Sequence, residues 1–162
     1  MKSKILSVIG GILIFGSLIG NTVTAQASIS ENVIDGSALT NDESSVGMTQ
    51  NNTRGVHLMD GECSISKAGT KRIYTYGATT ANHTVDNITV IVYVDQYNET
   101  EKQWEQIDAW AKQGTDDYFI CTSKSITVDR GYYYRVHADH VVKKDGVYEE
   151  TASATDGILV PK

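Results

Sequence analysis

Four histidines, two cysteines and a late-clustered set of aromatic rings are the side chains of this sequence with chemistry to offer. His57 lies in a polar stretch, His83 in a turn, and His137 and His140 share one strand-like segment. An offset of three in a β-strand puts His137 and His140 on opposite faces, so that pair is not expected to hold a metal. His137 and Asp139 do share a face and could titrate near neutral pH, an arrangement that a solvated sheet surface explains as well. The sequence has no G-x-S-x-G, no H-E-x-x-H and no cysteine with a matching histidine signature. No catalytic residue, metal or cofactor is therefore expected. Acidic pairs at Asp42-Glu43, Asp116-Asp117 and Glu149-Glu150 lack the alternating oxygen spacing of a calcium loop and read as solvated loop charge.

Cys63 and Cys121 stand 58 positions apart, and neither has a second Cys or a His at zinc-ligand spacing. Two readings stay open for them. A disulfide closing so long a loop would contribute on the order of 3 to 4 kcal/mol. Otherwise they are two buried thiols acting as small apolar side chains. Among the aromatics, Trp104 and Trp110, with Tyr93 and Tyr97 across a presumed hairpin, are the candidate binding residues, because flat rings on a sheet face stack on sugars and anchor protein interfaces. The competing reading makes one tryptophan, the second, a core residue. Four N-x-T triplets, at Asn51, Asn82, Asn87 and Asn98, read as chance in a chain rich in Asn and Thr.

These residues follow an N-terminal pattern that sets their compartment. Lys2 and Lys4 precede an apolar run from Ile5 to Ile19, and Ala25-Gln26-Ala27 supplies small residues for a signal peptidase. The run is short and glycine-broken, so residues 1–27 read as a secretory signal peptide cleaved near Ala27 rather than as a membrane anchor. No cysteine follows the run for lipid attachment, and Ile158 to Lys162 carries no sorting motif or apolar tail. The expectation is a released extracellular protein with no membrane attachment in its mature form. Without Lys2 and Lys4 the 14 basic residues become 12 against 20 acidic ones, a formal charge of −8. Nucleic acid is an unsuitable partner for such a surface, since phosphate binding needs clustered bases.

From residue 28 to 60 the chain is rich in Ser, Thr, Asn, Gly and acids, and it reads as a disordered polar leader unable to bury enough apolar surface to offset backbone ordering. All nine Tyr and both Trp come after Gly61. There the pattern becomes short apolar runs broken by turn chemistry roughly every ten residues, the mark of an all-β domain over residues 61–162. Seven strands are predicted, at 62–66, 71–78, 87–97, 104–111, 118–128, 132–142 and 147–154, with 158–160 as an edge extension. Asn98 to Lys102 is a hairpin loop, Gly114 to Asp117 a turn, and Asp145-Gly146 a tight αL-friendly turn. Seven strands, each with one apolar face, call for two sheets packed face to face, the first, second and fifth strands in one and the third, fourth, sixth and seventh in the other.

Ile126-x-Val128 followed by Tyr132-x-Tyr134-x-Val136-x-Ala138 resembles the stretch of fibronectin type III domains that enters their tyrosine-corner strand. The resemblance implies an immunoglobulin/fibronectin III-like β-sandwich with Tyr132 as the corner tyrosine. The sequence departs from that pattern at Arg130, where many such domains have proline, and in lacking a tryptophan on the second strand. At finer scale, Gly61-x-Cys63-x-Ile65, Val85-Asp86, Trp104 with Trp110, Gly131 to Val136 and Thr155 to Ile158 resemble a family of small secreted proteins of Gram-positive bacteria with no assigned activity. The likeness covers nearly all of 61–160. The expected function is a non-enzymatic extracellular module binding a protein or glycan, the rival being a small secreted effector, a toxin, bacteriocin-like or signalling protein, processed after export.

Overall fold

A computed structural model describes Gly36, residues 38–49 and residues 55–162 of this protein. The segment 1–27 expected as a signal peptide lies outside the described residues, as do 28–35, 37 and 50–54. The described residues are all-β, with eight strands in one hydrogen-bonded sheet: β1 (Leu39–Thr40), β2 (Ser44–Met48), β3 (Leu58–Lys67), β4 (Arg72–Asn98), β5 (Gln103–Thr127), β6 (Tyr132–Lys144), β7 (Val147–Ala154) and β8 (Gly157–Val160). No helix among them is long and apolar enough to cross a membrane.

Two strands carry the architecture. The segments expected as separate second and third strands are one 27-residue strand, β4, and the expected fourth and fifth are one 25-residue strand, β5. They pair antiparallel along nearly their whole lengths, from Arg72↔Thr127 to Asn98↔Gln103. Between Thr80↔Phe119 and Val85↔Asp117 the register jumps, leaving four residues of β4 opposite one of β5. The predicted turn at Gly114 to Asp117 is thus a bend inside a strand, with Asp116 at positive φ (53°).

That irregularity reverses which residues point inward. Before it, Ile73, Thr75, Gly77, Thr79 and Ala81 face the core; after it, Ile88, Val90, Val92 and Val94 do. The odd positions give way to even ones, so two inner faces of the same ribbon can close on each other. The first half of β4 pairs with β3, and β3 with β2; the second half pairs with β6, which carries β7 and β8. The strand groups expected to form separate sheets are therefore the two halves of one sheet folded back on itself, and the strand count is eight rather than seven. Gly77 marks one close approach, since a Cβ there would lie 2.6 Å from Val92 Cγ2 and 3.1 Å from Val90 Cγ2.

Part of the expected disordered leader belongs to this sheet. Ser44 to Met48 pairs with Glu62 to Ser66, and Leu39–Thr40 runs parallel to Gly157–Ile158. The reason is local: backbone groups of a short polar strand are satisfied by an otherwise open edge, which needs little apolar surface of its own. Ser45 Oγ also accepts from Asp156 N at 3.0 Å. At the opposite margin β5 closes its own fold-back with side chains: Lys124 pairs with Asp108, Lys112 Nζ donates to Cys121 O at 3.0 Å, and Trp110 Nε1 donates to Thr122 Oγ1 at 3.2 Å.

Among the described residues the core contains one imidazole ring. His140 is fully buried, with Nδ1 3.0 Å from Thr79 Oγ1 and Nε2 2.8 Å from Ser153 Oγ. Burial disfavours its charged form and pushes its pKa down to about 4 from the ordinary 6.5, against a smaller opposing pull from Asp60. The unfolded chain accepts a proton below pH 6.5 that the native chain refuses until about pH 4. Stability is therefore predicted to fall as pH drops through that window, by on the order of 3 kcal/mol in all. Urea midpoints measured from pH 7 to 4 should show this slope in the native sequence and a flatter one in His140→Gln.

Candidate functional site

The second half of β4, with β5 and β6 on either side, presents an outer face whose residues come from the alternate positions of the same strands. On it Tyr93 pairs in register with His137, Asp95 with Arg135, and Tyr97 with Trp104. Asp95 is the centre. It is 3 % exposed, accepts from Arg135 Nε at 2.9 Å, and lies 3.2 Å from His137 Nδ1, close enough to pair with a charged ring though poorly aligned for a hydrogen bond. Burial alone would raise its pKa; His137 and Arg135 together outweigh that and hold the carboxyl below the usual range.

The rings are locked around this carboxylate. Tyr93 stacks on His137 with centroids 4.6 Å apart and planes at 11°, while its hydroxyl donates to Asp139 Oδ2 at 3.1 Å. Burial, with the Asp139 charge and hydrogen bond, pushes the Tyr93 phenol up to about 12, so it stays a donor. Arg135 places its guanidinium 4.5 Å from the Trp104 ring centroid and donates through Nη1 to Gly36 O at 3.0 Å. Trp104 meets Tyr97 edge-on at 5.1 Å and lies against Gly157. These rings are half-buried; Trp104, His137 and Tyr93 are each oriented by a charged partner, and Tyr97 rests against Trp104.

Next to Tyr97 the surface sinks into an open depression of about 500 Å³ lined by Gln96, Asn98, Glu105, Arg130 and Tyr132 among others. Arg130 is anchored by Nε donating to Pro161 O at 2.9 Å. Asn98 shapes the rim: its Oδ1 accepts from Thr100 N and Glu101 N, and its Nδ2 donates to Glu105 Oε1 at 2.6 Å.

Of the four residues expected to form an aromatic platform, the fold brings three together and separates one. Tyr93, Tyr97 and Trp104 share the outer face; Trp110 is opposite Val92 on the inner face, packed at the edge of the core with Lys124 Nζ 5.2 Å from its ring centroid. The cause is a second bulge. Val94 faces Asp108 while Asp95 faces Gln106, so Ile107 is an extra residue on β5 that flips the alternation between the two tryptophans. Asp95 and Arg135 were not anticipated from sequence. Their signal was an aspartate inside a β-branched central run and an arginine alternating with Tyr134 and Val136, each of which needs a charged partner on the sheet face.

One open alternative is decided and one expectation is corrected. Cys63 and Cys121 are free thiols. Cys63 pairs with Gly77 and Cys121 with Ala78, one step apart on β4, which sends their side chains to opposite faces. Cys63 Sγ instead sits 3.6 Å from Val136 O, its thiol pushed up to about 11 by burial. The tyrosine whose hydroxyl reaches back to the preceding backbone is Tyr134 and not the expected Tyr132: Tyr134 is fully buried and donates to Asp129 O at 2.9 Å, whereas Tyr132 is 42 % exposed at the depression. Tyr132 is the exposed first residue of β6 and Tyr134 the first of its buried even-numbered positions, so the ring that reaches the core end is two residues later than expected. Replacing Tyr134 by Phe should cost about 1 kcal/mol, the net value of one such hydrogen bond. Tyr132→Phe should stay within about 0.5 kcal/mol of the native protein, as is usual for surface changes. Paired denaturation curves for the two variants check this.

A search of curated proteins found no match. The sequence model of a family of unknown function (DUF6147) matches residues 23–158, and the chain belongs to that family.

Proposed function

We propose that this protein is an exported, non-enzymatic binding module of a Gram-positive bacterium, and that it recognises saccharide at the Tyr97–Tyr132 depression. The observation that carries the reading is the make-up of that depression. Tyr97 and Tyr132 line an open concavity of about 500 Å³ together with Gln96, Glu105 and an anchored Arg130, a combination suited to stacking on a sugar and to planar hydrogen bonding. The locked row of Trp104, Arg135, Asp95, His137 and Tyr93 continues from it and supplies a rigid border. Rigid rings lose little freedom on binding, which favours recognition.

Export is supported by the N-terminal pattern of Lys2 and Lys4, the apolar run and Ala25-Gln26-Ala27. A non-enzymatic role is supported by where the acid–base groups stand. The Ser153–His140 pair is 4 % and 0 % exposed, too deep for a substrate to reach. His137 lies beside Asp95, a carboxylate already held ionised and needing no base, and stacks on Tyr93, whose hydroxyl donates to Asp139 and not to it.

The test is retention of the protein on insoluble cell-wall polysaccharide and on a glycan array. Tyr97→Ala and Tyr132→Ala are each predicted to weaken retention at least tenfold, about 1.4 kcal/mol, with unchanged far-ultraviolet spectra. Retention that survives both substitutions, or capture by a protein component alone, would contradict the reading.

A further inference from the structure

At the far end of the molecule from the depression, two histidines 26 residues apart in sequence come together. His57 immediately precedes β3, and His83 lies in the bend of β4; His57 Nδ1 and His83 Nε2 are 3.1 Å apart, with the rings edge-to-face at 88°. From this geometry we propose a surface site for a divalent transition-metal ion of the zinc class, held by His57 Nδ1 and His83 Nε2.

Distance is the first argument. Zinc–nitrogen bonds of about 2.0 to 2.1 Å at a tetrahedral angle place two ligand nitrogens roughly 3.3 to 3.4 Å apart. The observed separation needs an opening of only a few tenths of an ångström, within reach of small ring rotations in exposed side chains. Imidazole nitrogen is a ligand well matched to zinc, nickel and copper, and poorly matched to magnesium or calcium.

The second argument is that the backbone carrying both rings is held independently of the rings. Glu149, on β7, accepts three consecutive N–H groups with its carboxylate: Val56 at 2.8 Å, His57 at 2.8 Å and Leu58 at 2.6 Å. On the other side, Asn82 N donates to His57 O at 2.8 Å and Asn82 Nδ2 to Val56 O at 3.1 Å, so the residue before His83 is tied directly to the backbone of His57. A pair of ligands fixed in this way loses little freedom on meeting an ion.

The proton inventory is simple. With both rings neutral, the contact is one N–H···N hydrogen bond in which one ring donates and the other accepts, the tautomers deciding which. Ligation requires a lone pair on both facing nitrogens, so the donor ring moves its proton through solvent to its other nitrogen, and no net proton is released from the neutral pair. No third His, Cys, Asp or Glu joins these two among the described residues. Water therefore completes the coordination shell, and the site is an open, exchangeable one rather than a closed structural one. Its consequence for the fold is a clamp between the start of β3 and the bend on which the fold-back depends.

Zinc chloride titrated into tag-free full-length protein by calorimetry tests the site, together with assignment of the imidazole carbon-bound protons. The expected result is one saturable ion per chain, with shifts at His57 and His83 and none at His140. In both His57→Gln and His83→Gln, affinity should fall at least tenfold. Three results would overturn the proposal: no saturable binding, undiminished binding in either variant, or shifts confined to His137. Should a variant fail to fold, the assignment in the native protein decides alone.

Discussion

The fold-back of the β4–β5 ribbon is the constraint from which everything else in this protein follows. A strand of 27 residues cannot stay straight in a domain this small, and a flat ribbon would leave one long apolar face in water. The unequal bulge after Thr80 solves both problems at once, because it bends the ribbon and transfers the inward positions from odd to even residues. Inner faces then meet along Ile73, Thr75 and Gly77 on one side and Val90, Val92 and Val94 on the other. Burying each aliphatic side chain contributes about 1.5 to 3 kcal/mol, so the bend is held by what it allows to pack. Gly77 is one point where the two layers come close, as Gly61 against His140 is another, and a side chain at Gly77 would run into Val90 and Val92.

The same reversal creates the two chemically distinct surfaces. Inside, His140 is kept neutral between Thr79 and Ser153, a fully satisfied polar cluster that fixes how β3, β4, β6 and β7 sit relative to one another. Outside, Asp95 gathers Arg135 and His137, and through them the rings of Trp104 and Tyr93. The saccharide-binding role proposed for the neighbouring depression depends on that outer row being rigid, since loose rings would lose on ordering what they gain on stacking.

How much of this was legible in the sequence depends on whether a feature is local. The β-branched alternation from Asn87 to Tyr97 reads directly as a central strand, and Asp145-Gly146 reads as a tight turn; both residues do take positive φ, 49° and 83°. The all-β class follows from such signals. Gly114 to Asp117 carries the composition of a turn, yet becomes a bend because hydrogen bonds to β4 on both sides carry β5 through it. Ile107 is the instructive case. Nothing in its identity marks a bulge, yet that one extra residue decides that Trp104 faces outward and Trp110 inward. The pairing of Ser44 to Met48 was likewise invisible, because what fixes it is the vacant edge of β3 and not its own composition. The His57–His83 contact depends on Glu149 and Asn82 holding two distant segments, a long-range arrangement with no sequence period.

The fold-back can be observed directly through nuclear Overhauser contacts from the α-protons of Gly77. The account predicts strong contacts to the methyl groups of Val90 and Val92, residues of the same strand 13 and 15 positions away, across the core. Contacts limited to Cys63 and Thr122, its flanking partners in the sheet, would describe an open ribbon and contradict the account.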